Sequence, residues 1–343
     1  MKALVLTEYG HFEYKDVPDP KIGSGEVLLR VKACAICGSD VHGYDGGSGR
    51  RIPPVIMGHE ASGVIEEIGS DVKEFKVGDR VTFDSTLYCR VCGQCLKGCI
   101  NLCDNRRVFG VSCQDYSKNG AMAEYIAVPE YILYRLPDIV SFEEASVIEP
   151  LTIAQHAINR AFIQTGANVA VVGCGTIGQL IIKVLGTMDC GMIAALDIDD
   201  MKLQTALKNG AECVINTGTE NVKERLSELT KGVGMDAAFE AVGLSDTLGY
   251  AIDSLRKGGE LILVGNVQKT VDFPLQYIVT NEIKIIASCA SAGEYDACLK
   301  LIESGIINLK DMISKAVPLS EGDEWFKKLH TGEPGLLKVV LLP

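Results

Sequence analysis

The segment VAVVGCGTIGQL, Val169 to Leu180, constrains the fold more tightly than any other part of the chain. An apolar strand-like run leads through Gly173, Gly175 and Gly178 into a run with helical periodicity. A bare GxGxxG carries little weight, but each glycine here has a physical task. Gly173 permits a tight turn, Gly175 lets the backbone approach a pyrophosphate, and Gly178 lets the helix lie close to the strand. The helix start, from Thr176, then offers free N–H groups and the positive end of its dipole to phosphates. Asp197 follows 19 positions after Gly178, at the end of the next strand-like run, GMIAALD. A carboxylate there can bind ribose hydroxyls and repels a 2′-phosphate, which favours NAD over NADP.

The flanking sequence extends the pattern. Strand-like NVAVVG, GMIAALD, CVIN, MDAAFEAVG, ELILVGN and EIKIIAS alternate with helix-like TIGQLIIKVLGTM, DMKLQTALKNG, VKERLSELTKG and TLGYAIDSLRKGG. This alternation predicts a doubly wound parallel sheet. The segment before about residue 150 reads differently. KALVLTE, GEVLLRVKACAI, EASGVIEEIG and DRVTF are short β-type runs punctuated by glycine and proline, as in a barrel or sandwich. With 343 residues, 47% of them hydrophobic, the chain has material for about two cores.

Cysteine use raises a second question. YCRVCGQCLKGCINLCDN, Tyr88 to Asn105, holds Cys89, Cys92, Cys95, Cys99 and Cys103. No signal peptide and no long apolar span is evident, so the chain reads as cytoplasmic, where clustered cysteines mean metal or redox work. Cys89, Cys92, Cys95 and Cys103 read C-x2-C-x2-C-x7-C, which suits a closed tetrahedral zinc site; an iron–sulfur cluster is the other metal reading. Cys99 falls outside the pattern. A net charge of −12 argues against nucleic acid and anionic membrane as partners.

A third set lies in the β-rich part. CGSDVH supplies Cys37, Ser39, Asp40 and His42; GHE supplies His59 and Glu60; VIEPL supplies Glu149. Thiolate, imidazole and carboxylate are the ligands of catalytic zinc, which keeps one position open. Cys34 and Cys37 also form a CxxC, but at the end of a β-rich run rather than at a helix start in a βαβ unit.

Taken together, GEVLLRVKACAICGSDVH, PPVIMGHEASGVIEEIG, KVGDRV, the cysteine loop, GAMAEYIAVP, VIEPLTIAQHAI, VAVVGCGTIGQL and LVGN resemble the zinc-containing medium-chain alcohol dehydrogenase family over essentially the whole chain. The Glu-Pro of VIEPL resembles the polyol branch, which includes sorbitol, xylitol, butanediol and galactitol-phosphate dehydrogenases. The resemblance implies an α/β protein. A GroES-like β-barrel catalytic domain would span 1–150 and 288–343, with a structural zinc lobe at about 86–106. A Rossmann NAD-binding domain would span 151–287, and the active site would lie in the cleft.

It also implies two zinc ions per chain, one catalytic and one structural. Cys37 and His59 would hold the catalytic ion, with Glu60 and Glu149 competing for the third protein position. Ser39 and His42 would relay the proton, and Asp40 would orient His59. Ile177, Lys202, Val242, Val264, Gly265 and Asn266 would join Gly173, Gly175, Thr176, Gly178 and Asp197 around NAD. The substrate would be a small-molecule alcohol or polyol, and the assembly a homodimer or homotetramer.

IIASCASAGEYD, small and uncharged before Glu294, lacks the arginine–tyrosine pair of many sorbitol dehydrogenases. Arg50, Arg51, Arg106 and Arg107 are candidates to grip a phosphorylated polyol, against the simpler reading of exposed loop charges. Other functions consistent with the motifs are a threonine- or butanediol-type secondary-alcohol dehydrogenase and a non-catalytic zinc- and nucleotide-binding structural or redox-sensing protein. A zinc-free quinone reductase conflicts with the cysteine loop and with GHE.

Overall fold

The computed structural model describes residues 1–113 and 116–343. The chain divides into two compact units, Met1–Glu149 with Ala292–Pro343, and Pro150–Ser291.

The first unit is built on the strand Glu26–Ala35, whose burial alternates along most of its length. That alternation puts successive side chains on opposite faces of a sheet, one of them facing the core. The strand pairs antiparallel with Glu60–Ile68, Tyr125–Pro129 and Lys338–Leu342. Arg80–Phe83, Leu133–Arg135 and Ile313–Pro318 complete a seven-stranded sheet. A smaller sheet of His11–Asp16, Lys2–Glu8 and Val55–Ile56 joins it around one core that includes Leu4, Leu6, Val27, Leu29, Phe83, Phe109, Met122 and Phe326. The N-terminal sequence and the C-terminal strand therefore belong to the same unit, although over 300 residues separate Ala35 from its partner Val340.

The second unit is a six-stranded parallel sheet. Numbered by position in the sequence, Asn168–Val172, Met192–Asp197, Cys213–Asn216, Met235–Glu240, Leu255–Leu263 and Lys284–Ala287 lie in the order 3-2-1-4-5-6. Helices Thr176–Leu185, Asp200–Lys208, Val222–Leu229 and Ser245–Ser254 connect the strands. This is the doubly wound arrangement, in which ligands bind beyond the carboxyl ends of the strands where the order reverses. Here the reversal falls at Asn168–Val172, flanked by the second and fourth strands. The glycine loop leaves that strand.

One element differs from the sequence pattern. TLGYAIDSLRKGG reads as a single helix, but the helix stops at Ser254 and Leu255 already pairs with Met235. The register then slips, so that Ala237 faces Glu260. Gly258, at φ +70, turns the intervening bulge. Among the described residues, no helix is long and apolar enough to cross a membrane.

Candidate active site and metal centres

Strand register assembles the first centre. Ala35 pairs with Glu60, and Cys34 with Ala61, so the chain leaving one strand runs beside the chain entering the other. Cys37 stands just past the first and His59 just before the second. Their side chains and that of Glu60 bring a sulfur, an imidazole nitrogen and a carboxylate oxygen within 4.8 Å of one another. Gly58, at φ +98, makes the approach to His59; a Cβ there would lie 2.7 Å from Cys34 Sγ. Cys34 is fully buried, its thiol pushed well up by burial. It lies outside the ligand group and is not disulfide-bonded to Cys37, which does not suit a redox pair.

Cys37 is also the N-cap of the short helix Gly38–Tyr44, and its sulfur accepts from the Ser39 N–H at 3.5 Å. Ser39 is exposed and its hydroxyl donates to Cys37 Sγ at 3.3 Å. Asp40, the next residue, points inward and is fully buried. His42, half-buried, lies three residues beyond Ser39 on the same side of the helix.

Asp40 Oδ2 and His59 Nδ1 face each other at 3.5 Å, and neither buried atom has a hydrogen-bond partner. This pairing leaves Nε2 as the free ligand atom of His59. A cation on Nε2 would make the opposite N–H a stronger donor to Asp40. Burial first, and then the carboxylate of Glu60, push the Cys37 thiol up in the absence of a cation. The Glu149 carboxyl is raised to about 7, mainly by burial, and accepts from the Ser85 hydroxyl at 2.8 Å. Glu149 stands outside the group formed by Cys37, His59 and Glu60, and a buried thiol facing a carboxylate is a setting that a divalent cation resolves. The donor set and the unsatisfied pair fit zinc.

One residue of this centre, Lys338, escapes sequence reasoning, and Arg51, read from the sequence as a candidate grip on a phosphate, takes another place. Lys338, 2% exposed, places its ammonium 2.7 and 3.0 Å from the two Glu60 oxygens and 3.2 Å from the Ile36 carbonyl. Its burial pulls the pKa down, but the charge and hydrogen bond of Glu60, with the charges of Cys37 and Glu149, together outweigh this and the net shift is upward. A lysine heading an otherwise apolar terminal strand was the available signal. Arg51, 4% exposed, donates to Asp40 Oδ1 at 2.9 Å and to Ser39 Oγ at 3.2 Å. It is therefore not an exposed loop charge, whereas Arg50 is exposed.

The second centre lies in the cysteine loop. Cys89, Cys92, Cys95 and Cys103 hold their sulfurs within 4.8 Å of one another. Backbone N–H groups of Cys89, Cys92, Cys95 and Asn105 point at those sulfurs at 3.3–3.5 Å. Such donors favour thiolate: N–H groups of Val91 and Cys92 bring Cys89 down to about 6, while burial holds Cys95 up at about 12. The lobe has almost no apolar core, with Val91, Leu96 and Leu102 exposed. Four thiol donors in a lobe without a core fit a structural metal. Cys99 caps the turn Ile100–Leu102 and stands outside the group. All thirteen cysteines are free of disulfides.

In the second unit, Gly173 takes φ +92, and a Cβ on Gly178 would lie 1.8 Å from the Gly173 carbonyl oxygen. The helix thus seats directly on the turn. Gly175 is its N-cap without a side-chain cap, and a Cβ there would meet nothing within 4 Å. That open space before an uncapped helix start, beside Thr176 and Ile177, fits a pyrophosphate. Asp197 accepts from the Cys174 N–H at 2.7 Å and from the Asp199 N–H at 3.0 Å, so it also braces the glycine turn. Lys202 is half-exposed and lies 3.9 Å from Asp199.

Val242, Val264 and Gly265 come together through Glu240, a second residue missed in the sequence. Its buried carboxylate accepts from the N–H groups of Val242 and Gly243, and its carbonyl from those of Val264 and Gly265. Asn266 follows, exposed, at the edge of the same loop.

Comparison with known proteins agrees with this chemistry. Residues 23–138 match the alcohol dehydrogenase GroES-like domain, and residues 176–304 match the zinc-binding dehydrogenase domain. The chain is 35% identical to sorbitol dehydrogenase of Halalkalibacterium halodurans, covering 100% of this chain and 99% of that protein. It is 32% identical to L-idonate 5-dehydrogenase of Vitis vinifera, covering 89% and 84%. The crystal structure of galactitol-1-phosphate dehydrogenase from Escherichia coli superposes with a TM-score of 0.92 at 26% identity, covering 100% of both chains. The chain belongs to the zinc-containing medium-chain alcohol and polyol dehydrogenases, a family for which NAD and zinc are the expected cofactors.

Proposed function

We propose that this chain oxidises a polyol, sugar alcohol or vicinal diol to a ketone, with NAD as hydride acceptor, and catalyses the reverse reduction. The observation that carries the reading is the convergence of Cys37, His59 and Glu60 beside the exposed Ser39 hydroxyl. Cys37, His59 and Glu60 would hold the catalytic zinc, with Glu149 the competing carboxylate for the third protein position. Zinc held there would supply Lewis acidity toward the substrate oxygen. The Ser39 hydroxyl accepts the proton that the substrate loses and passes it toward His42, whose imidazole suits transfer to water near neutral pH. Asp40 holds the His59 ring. Gly173, Gly175, Thr176 and Gly178 cradle the NAD pyrophosphate, and Asp197 takes the ribose hydroxyls. Glu240 fixes the loops of Val242 and Gly265 that would line the nicotinamide. The cysteine loop would hold structural zinc and take no part in the chemistry.

An unphosphorylated substrate is favoured. The Arg51 guanidinium is engaged by Asp40 and Ser39, Arg106 donates to the Asn101 carbonyl, and Arg107 lies over the Tyr116 ring. A homo-oligomer is supported by the edge strand Lys284–Ala287, which exposes Ile285, and by exposed Leu275 and Val279 nearby in sequence. Thirteen cysteines, none in a disulfide, suit a cytosolic setting.

Initial rates of NADH formation with sorbitol, xylitol, 2,3-butanediol, threonine and galactitol 1-phosphate, with NAD or NADP, test the reading. Highest kcat/KM with an unphosphorylated polyol and NAD is expected. Best activity with the phosphate ester would reverse the substrate assignment, and NADP preference would remove Asp197 from its role.

A further inference from the structure

We propose that Arg51 is a positioning residue for the reaction, fixing the Ser39 hydroxyl so that protons pass through it along a single path. The inference rests on the reading of Ser39 as the proton relay.

Arg51 is built into place rather than drawn in by chance. Its backbone forms a bridge to Ser112, with the Ile52 N–H on the Ser112 carbonyl at 3.1 Å and the Ser112 N–H on the Arg50 carbonyl at 3.0 Å. Its aliphatic stem crosses the helix Gly38–Tyr44 over Gly43, where a Cβ would lie 2.7 Å from Arg51 Cγ. From there Nη2 reaches both Asp40 Oδ1, at 2.9 Å, and Ser39 Oγ, at 3.2 Å.

A guanidinium donates and never accepts, and it stays charged at any working pH. One lone pair of Ser39 Oγ is therefore filled by Arg51 in every state of the reaction. That leaves the hydroxyl one lone pair and one proton, and the proton rests on Cys37 Sγ at 3.3 Å until the O–H turns toward the next acceptor. The free lone pair takes the proton from the substrate hydroxyl, and the proton already on Oγ departs to the next acceptor. Neither can be exchanged with Arg51. The positive charge also favours the electron-rich form of Oγ while the two O–H bonds change places. Through Asp40 the same guanidinium is tied to His59, so relay and ligand are set by one side chain.

A double-mutant cycle tests this: wild type, Ser39→Ala, Arg51→Gln and the pair, each measured for kcat, KM for NAD, zinc per chain and thermal midpoint. Arg51→Gln is expected to keep its zinc and its KM for NAD, and to lower kcat by roughly tenfold or more, at or below the usual range for proton-transfer groups. In the Ser39→Ala background the same change should cost less than about twofold. Arg51→Lys, which still donates, should recover part of the rate, and its own cycle with Ser39→Ala gives the answer if the glutamine variant does not fold. Multiplicative effects of the two substitutions would overturn the proposal alone. A fall in activity that only tracks lost zinc would reduce Arg51 to a structural role and overturn it as well. Wild-type kcat in Ser39→Ala would overturn the relay reading, and this proposal with it.

Discussion

Lys338 carries its ammonium inside the protein, held by Glu60 and one carbonyl. Removing one partner of such a buried pair leaves the other charge uncompensated, which typically destabilises by about 3–5 kcal/mol. Lys338→Met should show a loss of that size in denaturant unfolding of the zinc-stripped protein. With zinc restored the loss should shrink, because a second cation then faces Glu60. Equal losses in both forms would place Glu60 outside the metal site. Lys338 and Glu240 were not legible as functional residues in the sequence, and Arg51 was legible only as a candidate grip on a phosphorylated substrate. Each acts through a partner on another strand or loop that only the tertiary register supplies. Cys37, His59 and Glu60 were legible because they stand in short motifs, yet their meeting depends on the pairing of Ala35 with Glu60.

The glycine turn and the cysteine lobe are local devices, and both could be read directly from spacing. Their glycines separate two roles. Gly178→Ala would drive a Cβ into the Gly173 carbonyl, whereas Gly175→Ala would meet no protein atom. Gly178→Ala should therefore lower the thermal midpoint, and Gly175→Ala should leave it unchanged while raising KM for NAD about tenfold or more, since the methyl occupies the pyrophosphate space. An unchanged KM in Gly175→Ala would move the cofactor elsewhere. In the lobe, Cys95→Ser should lose the structural zinc by elemental analysis and expose residues 88–105 to limited proteolysis, because metal stands in for a core there. Cys99→Ser should retain the metal; its loss would bring Cys99 into the ligand set. The misread element, Leu255 onward, failed for a definable reason. Helical periodicity continued past Ser254, but strand pairing with Met235 overrode it.

At the scale of the molecule, the thirteen cysteines, none in a disulfide, include candidate ligands and buried core thiols. Cys298 is buried within Tyr295–Glu303, and burial pushes its thiol up to about 12. The unfolded chain releases that proton near the ordinary value of 9.0, so this group makes the fold less stable as pH rises from there toward 12. Native protein treated with iodoacetamide at pH 8 should leave Cys298 unlabelled by mass spectrometry, and denatured protein should label it fully. Native labelling would contradict its burial. The two-part architecture was legible from the change of rhythm along the chain. The return of the C-terminal strand to the first unit came from the family resemblance, because pairing across 300 residues leaves no local trace. The account as a whole rests on zinc-dependent hydride transfer from an alcohol to NAD at Cys37, His59 and Glu60. The most direct measurement is NADH absorbance with the polyol panel, for wild type and Cys37→Ala side by side, with zinc counted in each. Wild type should form NADH from at least one polyol, and Cys37→Ala should retain the structural zinc, lose the catalytic one and form none. No NADH from wild type carrying both zincs, or full activity in Cys37→Ala, would contradict it.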